Sequence, residues 1–163
     1  MRAPAEVRLE RLEKLIQRVT YESEQGGIII VEGTRDRESL RKLGIPGTIL
    51  CLQSSRKNPV GFVEGLDPNG KVVILTDFDH EGVVLAKRLA RSLNYQKIHA
   101  NLVLWRELRG LTRSDVRSIE ELPKFYSRLR TEVFFGPQSA GREYESPYFA
   151  VRRKGRGKFL RNR

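Results

Sequence analysis

The sequence predicts an α/β fold with a central, mainly parallel four-stranded sheet that is flanked by helices. Two apolar runs, Ile28-Ile29-Ile30-Val31 and Val72-Val73-Ile74-Leu75, are continuous and β-branched rather than alternating, which is typical of strands buried on both faces of a parallel sheet. Helical spacing of apolar residues is found between such runs. With 163 residues, of which 39% are hydrophobic, the chain can bury one core, so we expect one domain with appendages.

The elements follow in order along the first two thirds of the chain. Pro4 opens a helix whose apolar stripe includes Leu12, Leu15 and Val19, and Gly26-Gly27 ends it. A later helix with Leu40 and Leu43 ends at Gly44. The remaining predicted elements are strands at Ile28–Val31, Thr48–Leu52, Val72–Thr76 and Ile98–Leu104, a turn at Asp67–Gly70, and a helix at Glu81–Leu93.

The character of the chain changes after Trp105. Apolar residues there predict two short helices interrupted around Glu121-Leu122-Pro123, and periodicity is lost from Pro137 onward. We therefore expect an N-terminal helix at 1–26 packed on a core at 27–104, a helical extension at 105–136, and a basic, loosely ordered arm at 137–163. The helical extension is expected to close the open edge of the sheet or to form a partner surface.

Acidic residues directly follow two of the predicted strands. Glu32 closes the first strand, and Asp77 and Asp79 close the third, with Glu81 two residues further on. The carboxyl ends of parallel strands meet at one rim, so these carboxylates should converge there. Crowded carboxylates repel one another unless a cation neutralises them, and Mg²⁺ is a hard ion that binds oxygen ligands and substrate phosphates. The pattern therefore predicts a magnesium site.

At these residues the chain resembles the Toprim family, which includes domains of topoisomerases, bacterial-type primases, OLD-family nucleases and the ribosomal-RNA-maturing ribonuclease M5. The matching residues are Val31-Glu32-Gly33 and Asp77-Phe78-Asp79, and the stretch Asp77-x-Asp79-x-Glu81-Gly82 is most similar to type IA topoisomerases. The length of the chain is instead similar to small stand-alone archaeal and bacterial Toprim proteins, some of them called primase-like or ribonuclease M5-like. The resemblance covers about residues 27–104 and implies a Toprim-like Rossmannoid three-layer fold.

Each acid also has a structural interpretation. Asp after a strand is a common turn former or helix N-cap, and this is the favoured interpretation of Asp79 taken alone. Glu81 is either a third ligand or an acid in the first helical turn, where the helix dipole favours negative charge. Asp36 is interpreted as a helix cap rather than a ligand. His80 is interpreted as a contact to a phosphate or to a metal-ligating side chain, rather than as a ligand of the hard ion. Cys51 lies in an apolar stretch and is interpreted as a buried hydrophobe, so no disulfide is expected.

The expected chemistry is metal-assisted phosphodiester cleavage. Asp77 and Asp79 hold Mg²⁺, with Mn²⁺ as a substitute, while Glu32 serves as a ligand or as a general acid or base. Glu32, Asp77 and Asp79 are thus the catalytic candidates, and with Glu81 they are the metal candidates. A second ion is compatible with the site, with Asp77 as the bridge. Neither strand passage nor primase activity is expected, because no separate tyrosine-bearing domain and no cysteine zinc ligands are recognisable.

Charge points to a polyanionic partner. The net charge is +11, and residues 152–163 carry seven of the 31 lysines and arginines but no acid. The alternative to nucleic-acid binding is that this basic terminus serves only to keep the protein soluble. The nucleic-acid-binding candidates are Arg35, Arg37, Arg56 and Lys57 beside the rim, and Arg152, Arg153, Lys154, Arg156, Lys158 and Arg161 in the arm.

RNA is favoured over DNA as the partner. Arginine outnumbers lysine, glycine-flanked arginines suit flexible RNA-binding arms, and no helix-turn-helix or zinc finger is recognisable. The leading hypothesis is an Mg²⁺-dependent nuclease that acts on structured RNA, such as a ribosomal RNA precursor. The alternatives are a non-catalytic RNA-binding or ribosome-associated factor and the Toprim subunit of a larger complex. No signal peptide or long apolar span is recognisable, so a cytoplasmic protein is expected, and the high charge is compatible with a thermophile.

Overall fold

The computed structural model of the protein describes residues 3–54, 61 and 65–137. Its β-strands are β1 (Ile28–Val31), β2 (Ile49–Cys51), β3 (Lys71–Ile74) and β4 (His99–Asn101). The described α-helices are α1 (Ala5–Glu24), α2 (Thr34–Lys42), α3 (His80–Tyr95), α4 (Val103–Thr112) and α5 (Leu122–Phe135), and short 3-10 turns occupy Leu52–Ser54 and Ile119–Glu121. No helix in these ranges is long and apolar enough to cross a lipid bilayer.

The sheet is parallel throughout and has the strand order β2-β1-β3-β4. Helices flank the sheet, so the predicted α/β fold with a parallel four-stranded sheet is confirmed. The central strands β1 and β3 pair in a register that sets Ile28 opposite Val72 and Ile30 opposite Ile74. Their side chains are almost entirely buried, since neither face of these strands meets water. The unbroken β-branched runs are thus explained by burial on both faces.

Helix α1 packs against α4 and α5 through the predicted apolar stripe. An ion-pair network reinforces this contact, because Arg8 on α1 donates to Asp115 across 2.6 Å and Arg128 on α5 donates to the second oxygen of the same carboxylate. Both guanidinium groups also lie over the ring of Phe125. The network fixes residues 113–118, which connect α4 to the 3-10 turn at Ile119–Glu121.

Two predictions about the second half of the chain were wrong in detail. The predicted strand Ile98–Leu104 ends at Asn101, because the Asn101 side chain accepts hydrogen bonds from the backbone amides of Val103 and Leu104 and so starts α4. The apolar residues at 102–104 therefore belong to the start of a helix. The predicted interruption around Pro123 is instead the first turn of α5, where proline is tolerated because its missing amide hydrogen needs no partner.

Removal of the Asn101 side chain, which precedes the N-cap residue Leu102, should destabilise the protein. Replacement by Ala deprives two α4 amides of their acceptor, so we expect Asn101→Ala to lower the free energy of unfolding by about 1 kcal/mol. Urea denaturation monitored by circular dichroism measures this loss. Asn94→Ala is the matched control, since the Asn94 side chain makes no hydrogen bond with the described residues. An equal loss in both variants would contradict a stabilising role of the Asn101 hydrogen bonds.

Candidate metal centre at the carboxyl ends of β1 and β3

The two central strands deliver Glu32 and Asp77 to the same rim of the sheet. Glu32 follows the last residue of β1, and the pairing of the strands extends beyond β3 because the Leu75 amide donates to the Ile30 carbonyl across 2.8 Å. The Asp77 backbone amide then donates to Oε1 of Glu32 across 3.0 Å. The predicted convergence of these two acidic positions is thus present in the structure, and one carboxylate oxygen of Glu32 is held in place.

Asp77 lies half-buried between the sheet and the segment that follows α4. Its Oδ1 accepts a hydrogen bond of 2.9 Å from the Ile119 amide. Burial, with the negative charges of Asp36, Glu32 and Asp79 added to it, raises the pKa of Asp77 to about 7 against the opposing effect of the Ile119 hydrogen bond. The carboxyl group of Asp77 is therefore poised to change its charge near neutral pH.

The same electrostatic field acts on Glu32. Burial raises the pKa of the Glu32 carboxyl, the hydrogen bond from Asp77 opposes this change, and the charges of Asp36, Asp79 and Glu81 add to the increase. The two pKa values rise mainly because both carboxyl groups are half-buried, and the acids that the sheet brings to one place add to the increase. A cation bound at this rim would relieve both the repulsion and the cost of burial.

Asp79 and Glu81 occupy the start of α3 beside this pair. Asp79 is the N-cap of α3, and its Oδ1 accepts a hydrogen bond of 2.8 Å from the Gly82 amide. Asp79 therefore has the capping role that is favoured when this residue is considered by itself. The described residues donate no hydrogen bond to the second carboxylate oxygen of Asp79. Glu81 lies exposed in the first turn of α3, where both interpretations of its role are compatible with its position.

Asp36 is a helix cap, as predicted. Its Oδ2 accepts a hydrogen bond of 2.8 Å from the Gly33 amide at the start of α2, and its side chain is buried. Burial raises the pKa of Asp36, and the charge of Glu120 raises it further. Asp36 thereby contributes charge to the field at Asp77 while its own carboxylate is used to shape the turn after Glu32.

The donor set suits a hard divalent cation. Glu32, Asp77 and Asp79 each have one oxygen held by a backbone amide, and the described residues donate no hydrogen bond to the other oxygen. Within the described ranges, no three acidic, histidine or cysteine side chains lie close enough to hold an ion by themselves. This arrangement fits an ion such as Mg²⁺, which typically takes one or two carboxylates and fills its other positions with water and phosphate oxygens.

The extension after the sheet contributes contacts that the sequence did not indicate. Trp105 Nε1 donates to the Thr76 carbonyl, Arg109 Nε donates to the Phe78 carbonyl, and the Phe78 amide donates to the carbonyl of Arg117. Together with the Ile119 amide, these groups hold the backbone on both sides of Asp77. Trp105 and Arg109 are four residues apart, so the sequence indicates that they share one helix face. This spacing does not predict which strand end the two side chains contact.

The predicted nucleic-acid contacts are placed only in part. Arg35 is exposed in the first turn of α2, close to the acidic rim. Arg37 instead lines an open groove with Arg41, Lys42 and Thr48 between α2 and the edge strand β2. The candidates Arg56 and Lys57 in the loop, and Arg152, Arg153, Lys154, Arg156, Lys158 and Arg161 in the arm, lie outside the described residues.

Comparisons with known proteins find similarity over most of this chain. Residues 26–103 match the Toprim domain. A UPF0292 protein from Methanosarcina acetivorans is 35% identical over 127 residues, which cover 77% of this chain and 87% of the relative. A UPF0292 protein from Pyrococcus furiosus is 39% identical over 129 residues, which cover 79% of this chain and 93% of the relative.

A similar fold is found among solved structures. A protein from Aquifex aeolicus superposes with a TM-score of 0.55 at 24% identity, covering 67% of this chain and 95% of that protein. At this identity the likeness concerns the fold alone.

Neutralising Asp77 should stabilise the metal-free protein at neutral pH. The folded protein keeps a proton on Asp77 up to about pH 7, whereas the ordinary pKa is 3.8, so the contribution of this group to stability is lost as the pH rises from about 4 to 7. Asp77→Asn removes that loss and keeps an acceptor for Ile119. After allowance for solvent screening we expect a gain on the order of 1 kcal/mol at pH 8, or a Tm increase of about 2–4 °C.

Thermal unfolding in chelator between pH 4 and 8 tests this expectation. The Tm difference between Asp77→Asn and the unmodified protein should shrink towards pH 4, where Asp77 is protonated in the folded state and about half protonated in the unfolded state. A variant that is less stable than the unmodified protein at pH 8 would contradict the proposed charge crowding.

Gly82 should tolerate no side chain. A Cβ at this position would overlap the backbone carbonyl of Asp77, whereas a Cβ at Gly110 on α4 would meet no atom within 4 Å. We expect Gly82→Ala to cost at least about 2 kcal/mol of stability, because residues 76–81, here called the acidic loop, must move to make room for the added Cβ. Gly110→Ala is the matched control and should gain about 0.5–1 kcal/mol through helix propensity. Chemical denaturation of both variants measures the contrast, and equal stabilities would refute the close approach.

Proposed function

This chain belongs to the UPF0292 proteins and carries a Toprim domain, and from that premise we propose that it is a metal-dependent nuclease acting on structured RNA. Toprim domains generally bind divalent metals, and the domain indicates a function related to nucleic acids. The finer proposal names Mg²⁺ as the ion, with Mn²⁺ as a substitute, and phosphodiester hydrolysis as the reaction. A ribosomal RNA precursor is the substrate suggested by the similarity to ribonuclease M5.

The observation that supports this proposal best is the hydrogen bond from the Asp77 amide to Glu32. It places two carboxylates side by side at the carboxyl ends of the two central strands, where ligands of open parallel sheets bind. A purely structural pair of acids would be expected to have a cationic side chain beside it. Among the described residues, neither Glu32 nor Asp77 forms an ion pair, so a bound metal ion is the group that would neutralise them.

Each acid has a role in the proposed reaction. Asp77 and Asp79 would hold the ion through the oxygens that are not bonded to backbone amides, and Glu81 is available from the first turn of α3. Bound Mg²⁺ would supply charge stabilisation at the phosphate and, with a second ion, at the attacking and leaving oxygens. Glu32 would hold or release a proton at Oε2 or complete the ligand set, while its Oε1 stays on the Asp77 amide.

Positive charge outside the acidic rim supports binding of a polyanion. The net charge of +11 persists although the acids cluster at the site, so lysines and arginines dominate the rest of the chain. Arg35 is exposed in the first turn of α2, three residues after Glu32, and would contact a nucleic acid whose phosphate enters the rim. The basic residues 152–163 would add sequence-independent affinity for the RNA backbone.

A non-catalytic RNA-binding factor is the second candidate. The observation in its favour is that Asp79 caps α3 and Asp36 caps α2, so two acids of the group have structural roles. The described residues also bring no three ligands together. A Toprim subunit of a larger complex would share these features, because a partner or substrate would complete the site.

A cleavage and retention assay separates these candidates. Labelled structured RNA, single-stranded RNA and duplex DNA are incubated with the unmodified protein and Asp77→Asn in Mg²⁺, Mn²⁺ or chelator. We expect metal-dependent cutting of structured RNA and a loss of at least about 10²-fold in Asp77→Asn, with RNA retention within about twofold. The carboxamide preserves the shape of the side chain, so its effect reports on charge at the metal.

Glu107→Gln is the matched control because this exposed acid pairs with Arg18 away from the rim. It should cut at the unmodified rate. Cleavage by Asp77→Asn at the unmodified rate would refute the site, and tight retention by both proteins without any cutting would establish the binding factor in place of the nuclease.

A further inference from the structure

Helix α4 holds the backbone of the acidic loop from one side. Trp105 Nε1 donates to the Thr76 carbonyl across 2.9 Å, and Arg109 Nε donates to the Phe78 carbonyl across 3.2 Å. The two acceptors are the residues immediately before and after Asp77. The Trp105 and Phe78 rings also pack together, with centroids 6.4 Å apart. Arg109 therefore lies beside the peptide that joins the two metal-ligand candidates Asp77 and Asp79.

The guanidinium group of Arg109 is fixed in position but only partly used. It stacks on the Trp105 ring at 5.8 Å from the centroid, and its Nε makes the bond to Phe78. Among the described residues, the two Nη groups of Arg109 form no hydrogen bond and its guanidinium forms no ion pair. Arg109 thus presents up to four hydrogen-bond donors next to the acidic loop.

Other arginines in the described part of the chain are engaged differently. Arg8, Arg18 and Arg128 are paired with carboxylates. Arg41 donates to the backbone carbonyls of Ile45 and Gly47, which ties it to the end of α2. Arg109 differs from these four because its single hydrogen bond is to the loop that carries the candidate ligands.

We propose that Arg109 binds a non-bridging oxygen of the substrate phosphate at the acidic rim. This inference rests on the proposed function, because it assigns the cation that a phosphodiester needs at that site. The crowded carboxylates repel a phosphate, and a metal ion together with a neighbouring guanidinium reverses the local sign of charge. A planar guanidinium held through Nε keeps its Nη groups oriented for phosphate oxygens, which a flexible lysine would not.

A variant series tests this assignment. Arg109→Gln, Arg109→Lys and the control Arg106→Gln are compared for Mg²⁺ affinity by calorimetry, for Tm, for RNA retention and for cleavage. Arg106 lies one turn earlier on α4 and is exposed, and the described residues offer its side chain no ion-pair or hydrogen-bond partner. It matches Arg109 in helix, charge and residue type without contacting the acidic loop.

We expect Arg109→Gln to lower kcat/KM for cleavage about 10²-fold while Mg²⁺ affinity stays within about twofold. Arg109→Lys should recover part of that loss, because it restores the charge but not the guanidinium geometry. Arg106→Gln should cut at the unmodified rate. Cleavage by Arg109→Gln at the unmodified rate would overturn the proposal, as would loss of Mg²⁺ affinity and Tm in proportion to activity, which would mark Arg109 as a support of the loop alone.

Retention of RNA tests the Arg109–phosphate contact even if the unmodified protein cuts no substrate. In that case the nuclease assignment fails, and retention of RNA in Mg²⁺ becomes the readout. Arg109→Gln should then weaken Mg²⁺-dependent retention at least fivefold more than Arg106→Gln. Equal retention by the two variants would overturn the phosphate contact independently of catalysis.

Discussion

The hydrogen bond between the Asp77 amide and the Glu32 carboxylate is the interaction on which the organisation of the site depends. It joins positions 45 residues apart, and it can form only because β1 and β3 are adjacent, parallel and in the register that sets Ile30 opposite Ile74. Burial of both strands makes that register costly to change, since a shift would disrupt the close packing of their side chains on both faces of the sheet. The strand register that packs the core therefore also determines where the two carboxylates lie.

This constraint creates an electrostatic cost that the rest of the molecule moderates. Burial and mutual repulsion raise the pKa of Asp77 and Glu32, while backbone amides of Asp77 and Ile119 oppose those shifts. The amide of Ile119 comes from the 3-10 turn after α4, which the Arg8–Asp115–Arg128 network holds against α1 and α5. Helices remote from the rim thus influence how much charge it can hold. A divalent cation would convert the remaining repulsion into binding free energy.

The sequence predicted the parallel sheet and the meeting of Glu32 and Asp77 at its rim, because both leave local patterns. Continuous β-branched runs report burial on two faces, and an acid after such a run reports its position at the rim. The prediction was wrong where a polar contact outweighs an apolar pattern. The apolar residues 102–104 predicted a continuing strand, but hydrogen bonds to the Asn101 side chain start a helix there. The contacts of Trp105, Arg109 and Ile119 with the acidic loop could not be predicted from the sequence. They join residues 29–42 positions apart, and no periodicity encodes such pairs.

The bond from Ile119 to Asp77 also has a consequence for the order in which the protein acquires its site. During synthesis the chain emerges from its N-terminus, so Glu32 and Asp77 are available to pair before the residues that hold Asp77 from the other side exist. A nascent chain that ends before residue 119 has the acids but lacks this donor and the helices that position it. The mature arrangement of the acids is therefore completed late in translation, after most of the sheet can form.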